Sequence, residues 1–190
     1  MVHRLKLLMA GTALLALPSV AQAQAAAEIQ LHSAVGGSCG LSAPDASVLD
    51  LHDLTGPDGL LDPAKLGNTI LATATIADAW CNTPHTLSLQ STAMALQQTM
   101  PYAQPVYMAR RVTFNAQLVG WPFTATIRPR NDNDPVTLDV PSAYQAPSPG
   151  LRLQISKLQT LTPGGDEQAG LMLEPGSYLG TVTITLAAAD

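Results

Sequence analysis

Short runs in which apolar residues alternate with polar ones recur along the chain, separated by clusters of turn formers. Ile29, Leu31, Ser33 and Val35 alternate with Gln30, His32 and Ala34, which predicts a half-buried strand ending at Gly36-Gly37, just before Cys39. A weaker strand is expected over Val48 to Leu54, followed by turns at Gly56-Pro57-Asp58-Gly59 and Asp62-Pro63. Thr69 to Ala77 is rich in Thr and β-branched residues and runs toward Trp80-Cys81. After a turn at Asn82 to Pro84, Thr86 to Gln90 puts Leu87 and Leu89 on one face. Met94 to Met108 contains Pro101 and Pro105 and reads as a loop or broken edge. Val112, Phe114, Ala116 and Leu118 then alternate, Gly120-Trp121-Pro122 interrupts, and Thr124 to Ile127 resumes. A loop at Asn131 to Pro135 precedes Val136, Leu138 and Val140. Leu151, Leu153 and Ile155 follow, and then a turn at Pro163-Gly164-Gly165. The clearest strand is the last, Ser177 to Leu186, with Tyr178, Gly180, Val182, Ile184 and Leu186 on one face.

Seven to nine short strands with no convincing amphipathic helix predict an all-β sandwich, and no fixed repeat period points to a propeller or solenoid. The 190 residues include 15 Pro and 14 Gly, which disfavours a helical bundle. Nine basic residues face 14 acidic ones, with no basic stretch able to meet a phosphate backbone, so a nucleic-acid binder is excluded. Long connections around residues 55 to 68, 94 to 110 and 141 to 150 are expected rather than a second domain.

Residues 1–23 change the setting of the fold. Arg4 and Lys6 make a positive start, Leu7 to Leu17 an apolar centre and Ala21-Gln22-Ala23 a small-residue cleavage site, as in a secretory signal peptide. That centre is shorter than the ~20 residues a membrane-spanning helix needs, and no later run is longer, so no membrane span is expected. Residues 24–190 are then the exported domain, bound for the periplasm and the cell surface or an extracellular fibre. In an oxidising compartment an isolated pair of cysteines is most simply one disulfide, Cys39 to Cys81. A loop of this length stabilises by about 4 kcal/mol in the chain-entropy model.

Three segments in this order carry a resemblance. They are Ile29 to Cys39, the run Trp80-Cys81-Asn82-Thr83-Pro84-His85-Thr86-Leu87-Ser88-Leu89, and the terminal Pro175-Gly176-Ser177-Tyr178-Leu179-Gly180-Thr181-Val182-Thr183-Ile184-Thr185-Leu186. Together they resemble the secreted pilin-like proteins grouped as the spore coat protein U family, themselves similar to chaperone–usher pilins. The resemblance implies an incomplete immunoglobulin-like sandwich, possibly lacking its last strand, with a hydrophobic groove beside the terminal strand. A periplasmic pilus chaperone and then a neighbouring pilin subunit, delivered by an usher, would fill that groove by strand addition. Ile29, Leu31, Val35, Tyr178, Val182, Ile184 and Leu186 would flank it. Only Gln24 to Glu28 precede the first alternating run. If Ile29 to Val35 is the first strand, no donor segment remains, and the chain is a tip subunit or a self-sufficient sandwich; if it is the donor, little is left before Cys39 to begin the fold. The implied role is structural or adhesive, in a surface fibre or coat for attachment or biofilm formation. The alternative is a self-contained exported binding module for a glycan or envelope component.

No catalytic residue, cofactor or metal site is expected. His32, His52 and His85 lie in separate segments without ligand spacing, and no Gly-x-Ser-x-Gly elbow occurs. Asp45, Asp50, Asp53, Asp58 and Asp62, like Asn131 to Asp134, read as solvated turns rather than a calcium loop. Trp80 is expected in the core beside the disulfide, and Trp121 in core or corner packing, with a glycan-binding aromatic as its other reading. Arg110, Arg111, Arg128 and Arg130 are expected to form exposed ion pairs, with a docking patch as the other reading.

Overall fold

A computed structural model describes residues 33–98, 100–130 and 135–189. The chain divides into two compact units, Met1–Ala34 and Val35–Asp190, and every described strand belongs to the second. The predicted signal peptide, and Ile29 and Leu31, lie outside the described residues.

In chain order the elements are β1 (Cys39–Leu41), α1 (Pro63–Leu66), β2 (Ile70–Ile76), β3 (Ala79–Cys81), β4 (His85–Leu96), β5 (Met108–Ala109) and β6 (Arg111–Val119). They continue with β7 (Ala125–Ile127), β8 (Val136–Val140), β9 (Tyr144–Gln145), β10 (Leu151–Leu161), β11 (Met172–Leu173) and β12 (Tyr178–Ala188). Nine of these strands have three or more residues, and β5, β9 and β11 have two. The protein is all-β, as its alternation predicts.

The main sheet folds into two layers because its long strands change partners along their length. β4 pairs with β12 on one edge; on its other edge it pairs with β8 over His85–Leu89 and with β6 only at Met94 and Ala95. β6 pairs in turn with β10 and β7, and β10 with β2. One layer is therefore β12-β4-β8 and the other β7-β6-β10-β2, joined where β4 meets β6. Inward residues from both, Leu87 and Leu89 from the first and Phe114, Ala116, Leu118, Leu153 and Ile155 from the second, bury together in one hydrophobic cluster. The alternation of sequence becomes alternation of burial, the condition for a sheet with one dry face.

A smaller sheet, β1-β3-β9, sets Cys39 directly opposite Cys81, and the two form the predicted disulfide with an S–S distance of 2.05 Å. Val48 to Leu54 forms no strand, contrary to its pattern. The Asp50 carboxylate accepts the His52 amide at 2.7 Å and Asp53 accepts the Thr55 amide at 3.1 Å, while His52 itself has a positive φ of 56°. These local side-chain bonds compete with a β ladder. Asp58 and Asp62 likewise accept the amides of Leu60 and Ala64, and Asp62 with Pro63 caps the single-turn helix α1.

Candidate functional site: an uncovered groove beside the last strand

β12 is hydrogen-bonded on one edge only. Among the described residues its other edge has no partner strand. Its inward residues Tyr178, Gly180, Val182, Ile184 and Leu186 remain half-buried, whereas the matching positions of β4 and β6 are fully buried. A gap lies beside that face.

The gap is a groove of about 450 Å³. β12 forms one wall, from Tyr178 to Ile184, and the irregular segment from Leu41 to Leu51 forms the other. Core side chains from all the inner strands make the floor: Ala74 and Ile76, Met94, Phe114, Leu153 and Ile155. Among the described residues no charged side chain lines it. Leu186 shares the inward face of β12 and packs on the core beyond the groove lining.

Each wall has an anchor. The irregular wall is tied to the edge of β2 through Asp45, whose amide donates to Thr75 O at 2.8 Å while its carboxylate accepts the Thr75 amide at 2.7 Å. Farther along, Lys65 of α1 donates its ammonium to the carbonyls of Leu51 and Asp53. The Thr55 amide and hydroxyl hold the Asp53 carboxyl below the usual range, so it stays an acceptor there. β12 is fixed at its start, where the Tyr178 hydroxyl donates to Glu174 O at 2.8 Å or to Ala109 O at 3.2 Å. Burial, and then the charge of Glu174, push the Tyr178 phenol up to about 12. Glu174 is itself buried and meets Arg110 Nε at 2.9 Å, a charge contact rather than an aligned hydrogen bond. Arg110 also donates to Tyr102 O and lies over the Tyr102 ring.

Inside β12 the register with β4 shifts between Leu179 and Thr181. Gly180 sits at that shift, and a Cβ there would stand 2.9 Å from both Thr92 O and Met94 Cγ. Only glycine lets the strand stay close to β4 at this point.

Of the residues the sequence assigned to the groove, Tyr178, Val182 and Ile184 line it. Val35 is not among its lining residues, lies outside the described strands and is 85% exposed, and Ile29 and Leu31 lie outside the described residues. The second wall, Leu41 to Leu51, was not foreseen as part of a groove: its C-terminal part was expected as a strand and is instead irregular, and Leu41 ends β1. Glu174 escaped as well, a single carboxylate before a Pro-Gly turn. Gly180 was visible as a glycine inside a strong strand pattern, the usual sign of a bulge or close approach.

Trp80 is 39% exposed and packs over Gly40 on the outer side of the small sheet, not in the core. Trp121 is 5% exposed, with edge-on contacts to His85 and Tyr144 at 5.4 and 4.8 Å, so it offers no face to a glycan. Arg128 grips both Glu167 carboxylate oxygens, at 2.6 and 3.0 Å, and Arg130 meets the same group at 3.0 Å. Among the described residues no group of three or more His, Cys, Asp or Glu is placed to hold a metal, and no helix is long and apolar enough to cross a membrane. No protein-family model matches the chain, and no match is found among the curated proteins.

Proposed function

We propose that the protein is an exported, non-enzymatic pilin-like subunit whose sandwich is completed by a β-strand supplied by another chain. The observation that carries this reading is the groove beside β12, which among the described residues has no charged lining and is flanked by a strand edge with no partner. An added strand would satisfy the backbone groups of that edge and place alternate apolar side chains over the floor, which is the physics of strand addition. The signal-peptide pattern of residues 1–23 and the resemblance to the spore coat protein U family point the same way. In this reading a periplasmic chaperone fills the groove first, an usher exchanges it for a neighbouring subunit's strand, and the product is a surface fibre or coat serving attachment.

The test is expression in a periplasm with and without a strand-donating chaperone. Alone, the chain should aggregate or be degraded; with the chaperone it should accumulate as a soluble complex. A lone monomer that folds cooperatively, stays soluble and takes up no added strand would overturn the proposal.

A further inference from the structure

Trp80 is held on the outside of the small sheet, and the backbone around it is shaped to keep it there. Cross-strand pairing puts Gly40, Trp80 and Gln145 in one row across β1, β3 and β9, while the next row, Cys39, Cys81 and Tyr144, turns to the other face. The indole lies over Gly40. A Cβ on that glycine would stand 2.5, 2.7 and 3.0 Å from indole Nε1, Cε2 and Cζ2. Gly40 is not among the glycines with positive φ, so what its missing Cβ provides is a seat for the ring. Gly40 takes one face of the indole, and Trp80 keeps 39% of its surface in solvent.

Beside the ring is a shallow cleft of about 550 Å³, lined by Trp80, Cys81, Asn82, Ala143, Tyr144 and Gln145. Two carboxamides border it, and among the described residues no charged side chain does. Asn82 is fixed: its Oδ1 accepts the Ser38 amide at 2.7 Å and its Nδ2 donates to Gly36 O at 3.2 Å, which leaves one N–H of the carboxamide for a ligand. Gln145 is exposed, and among the described residues its carboxamide makes no hydrogen bond. The base of the cleft is braced. The Cys39–Cys81 disulfide ties β1 to β3, and Tyr144 rests edge-on against Trp121 at 4.8 Å.

A flat aromatic face bordered by carboxamides and by no charge is complementary to a neutral pyranose. The C–H groups of the sugar meet the electron-rich π face, and its hydroxyls exchange hydrogen bonds with the amides. An acidic sugar would find no cation among the lining residues. We infer that the outer face of β1-β3-β9 binds a neutral hexose unit of an oligosaccharide, with Trp80 as stacking platform, Gln145 and Asn82 as the groups that meet its hydroxyls, and Gly40 as the positioning residue that seats the ring. Leu41, which lines the groove beside β12, is next to Gly40 in β1 and so turns to the opposite face. The sugar site is therefore separate from the groove and does not depend on the strand-acceptor reading.

The full exported chain, alone or carrying a strand-donating chaperone, tests this on immobilised neutral hexaoses of glucose, mannose and N-acetylglucosamine, with polygalacturonate as the acidic control. At least one neutral hexaose should bind, and polygalacturonate should not. Binding should move Trp80 emission to the blue and shield it from acrylamide, a quencher that Trp121, 5% exposed, scarcely meets. Trp80→Ala should weaken binding roughly tenfold or more, as loss of an aromatic anchor does, and Gln145→Ala about threefold to tenfold. Gly40→Ala should lift the ring, moving the emission before any sugar is added and weakening binding with Trp80 still present; unchanged emission and affinity would overturn the role of Gly40. Tyr107→Ala, which removes an exposed aromatic just before β5, should bind as the parent does. Binding to none of the neutral hexaoses, binding to polygalacturonate alone, or undiminished affinity in Trp80→Ala overturns the inference. So does a parent that self-associates through Trp80 in sedimentation and is not released by the sugar, which would make a second copy the occupant. Should Trp80→Ala fail to fold, Gln145→Ala decides, because its side chain is in solvent: unchanged affinity overturns the inference.

Discussion

Tyr178 stands where the last strand begins, and its phenol reports on how that end is held. Its folded pKa is raised to about 12 by burial and by Glu174, against about 10 in an unfolded chain. The neutral phenol therefore supports the fold fully below pH ~10, and that support is lost as pH rises from about 10 to 12, where the unfolded chain ionises and the folded one resists. Denaturant unfolding at a series of pH values should show stability falling through this window, and Tyr178→Phe should flatten the fall. At neutral pH the same substitution should cost about 1 kcal/mol for the lost hydroxyl bonding to Glu174 O and Ala109 O. An equally steep alkaline fall in the Phe variant would place its cause elsewhere. The neighbouring Glu174 is a harsher case. Arg110→Ala would leave a buried carboxylate without its cation, a change that costs about 3–5 kcal/mol where it has been measured in other proteins.

At the scale of elements, the strands that the sequence disclosed are those whose alternation runs unbroken, such as β6 and β12. Where a strand changes phase, only its first half was legible. β10 is read from Leu151, Leu153 and Ile155, but its register shifts after Ile155 around Lys157, which has a positive φ of 52°, and the buried set resumes at Leu158. β4 changes phase in the same way at Ala93 and Met94, both buried. Of the groove, the β12 wall was legible because one strand face carries it, and the opposite wall was not, because its position comes from tertiary anchors at Asp45 and Lys65. The end of the β10–β2 pairing depends on a glycine whose need is equally invisible in the sequence. Gly150 has a φ of 107°, and a Cβ there would stand 2.2 Å from Ile76 O and 2.7 Å from Ala77 O. Gly150→Ala should destabilise by at least about 2 kcal/mol, through backbone strain and the displaced β2 end. A midpoint unchanged in urea would mean the backbone there relaxes freely.

For the whole molecule, the decisive property is that, among the described residues, the free edge of β12 and the groove beside it leave one side of the core less covered than the other. Stability should then be uneven, with the β12 side the first to open, because among the described residues no strand pairs with its edge away from β4 and its inward side chains are only half-buried. In hydrogen exchange on the dilute chain, amides of β6 and β10 should exchange slowest. Alternate amides of Tyr178–Ala188 should exchange rapidly, with Leu179, 60% exposed, among the residues at the open end. Filling the groove with the strand of a strand-donating chaperone should protect those alternate amides and leave β6 nearly unchanged, since strand addition closes one edge without repacking the far layer. Protection spread evenly over both layers would instead mean that the chaperone stabilises the fold without entering the groove. Full protection of β12 before any chaperone is added would show the edge already covered, and the molecule self-sufficient.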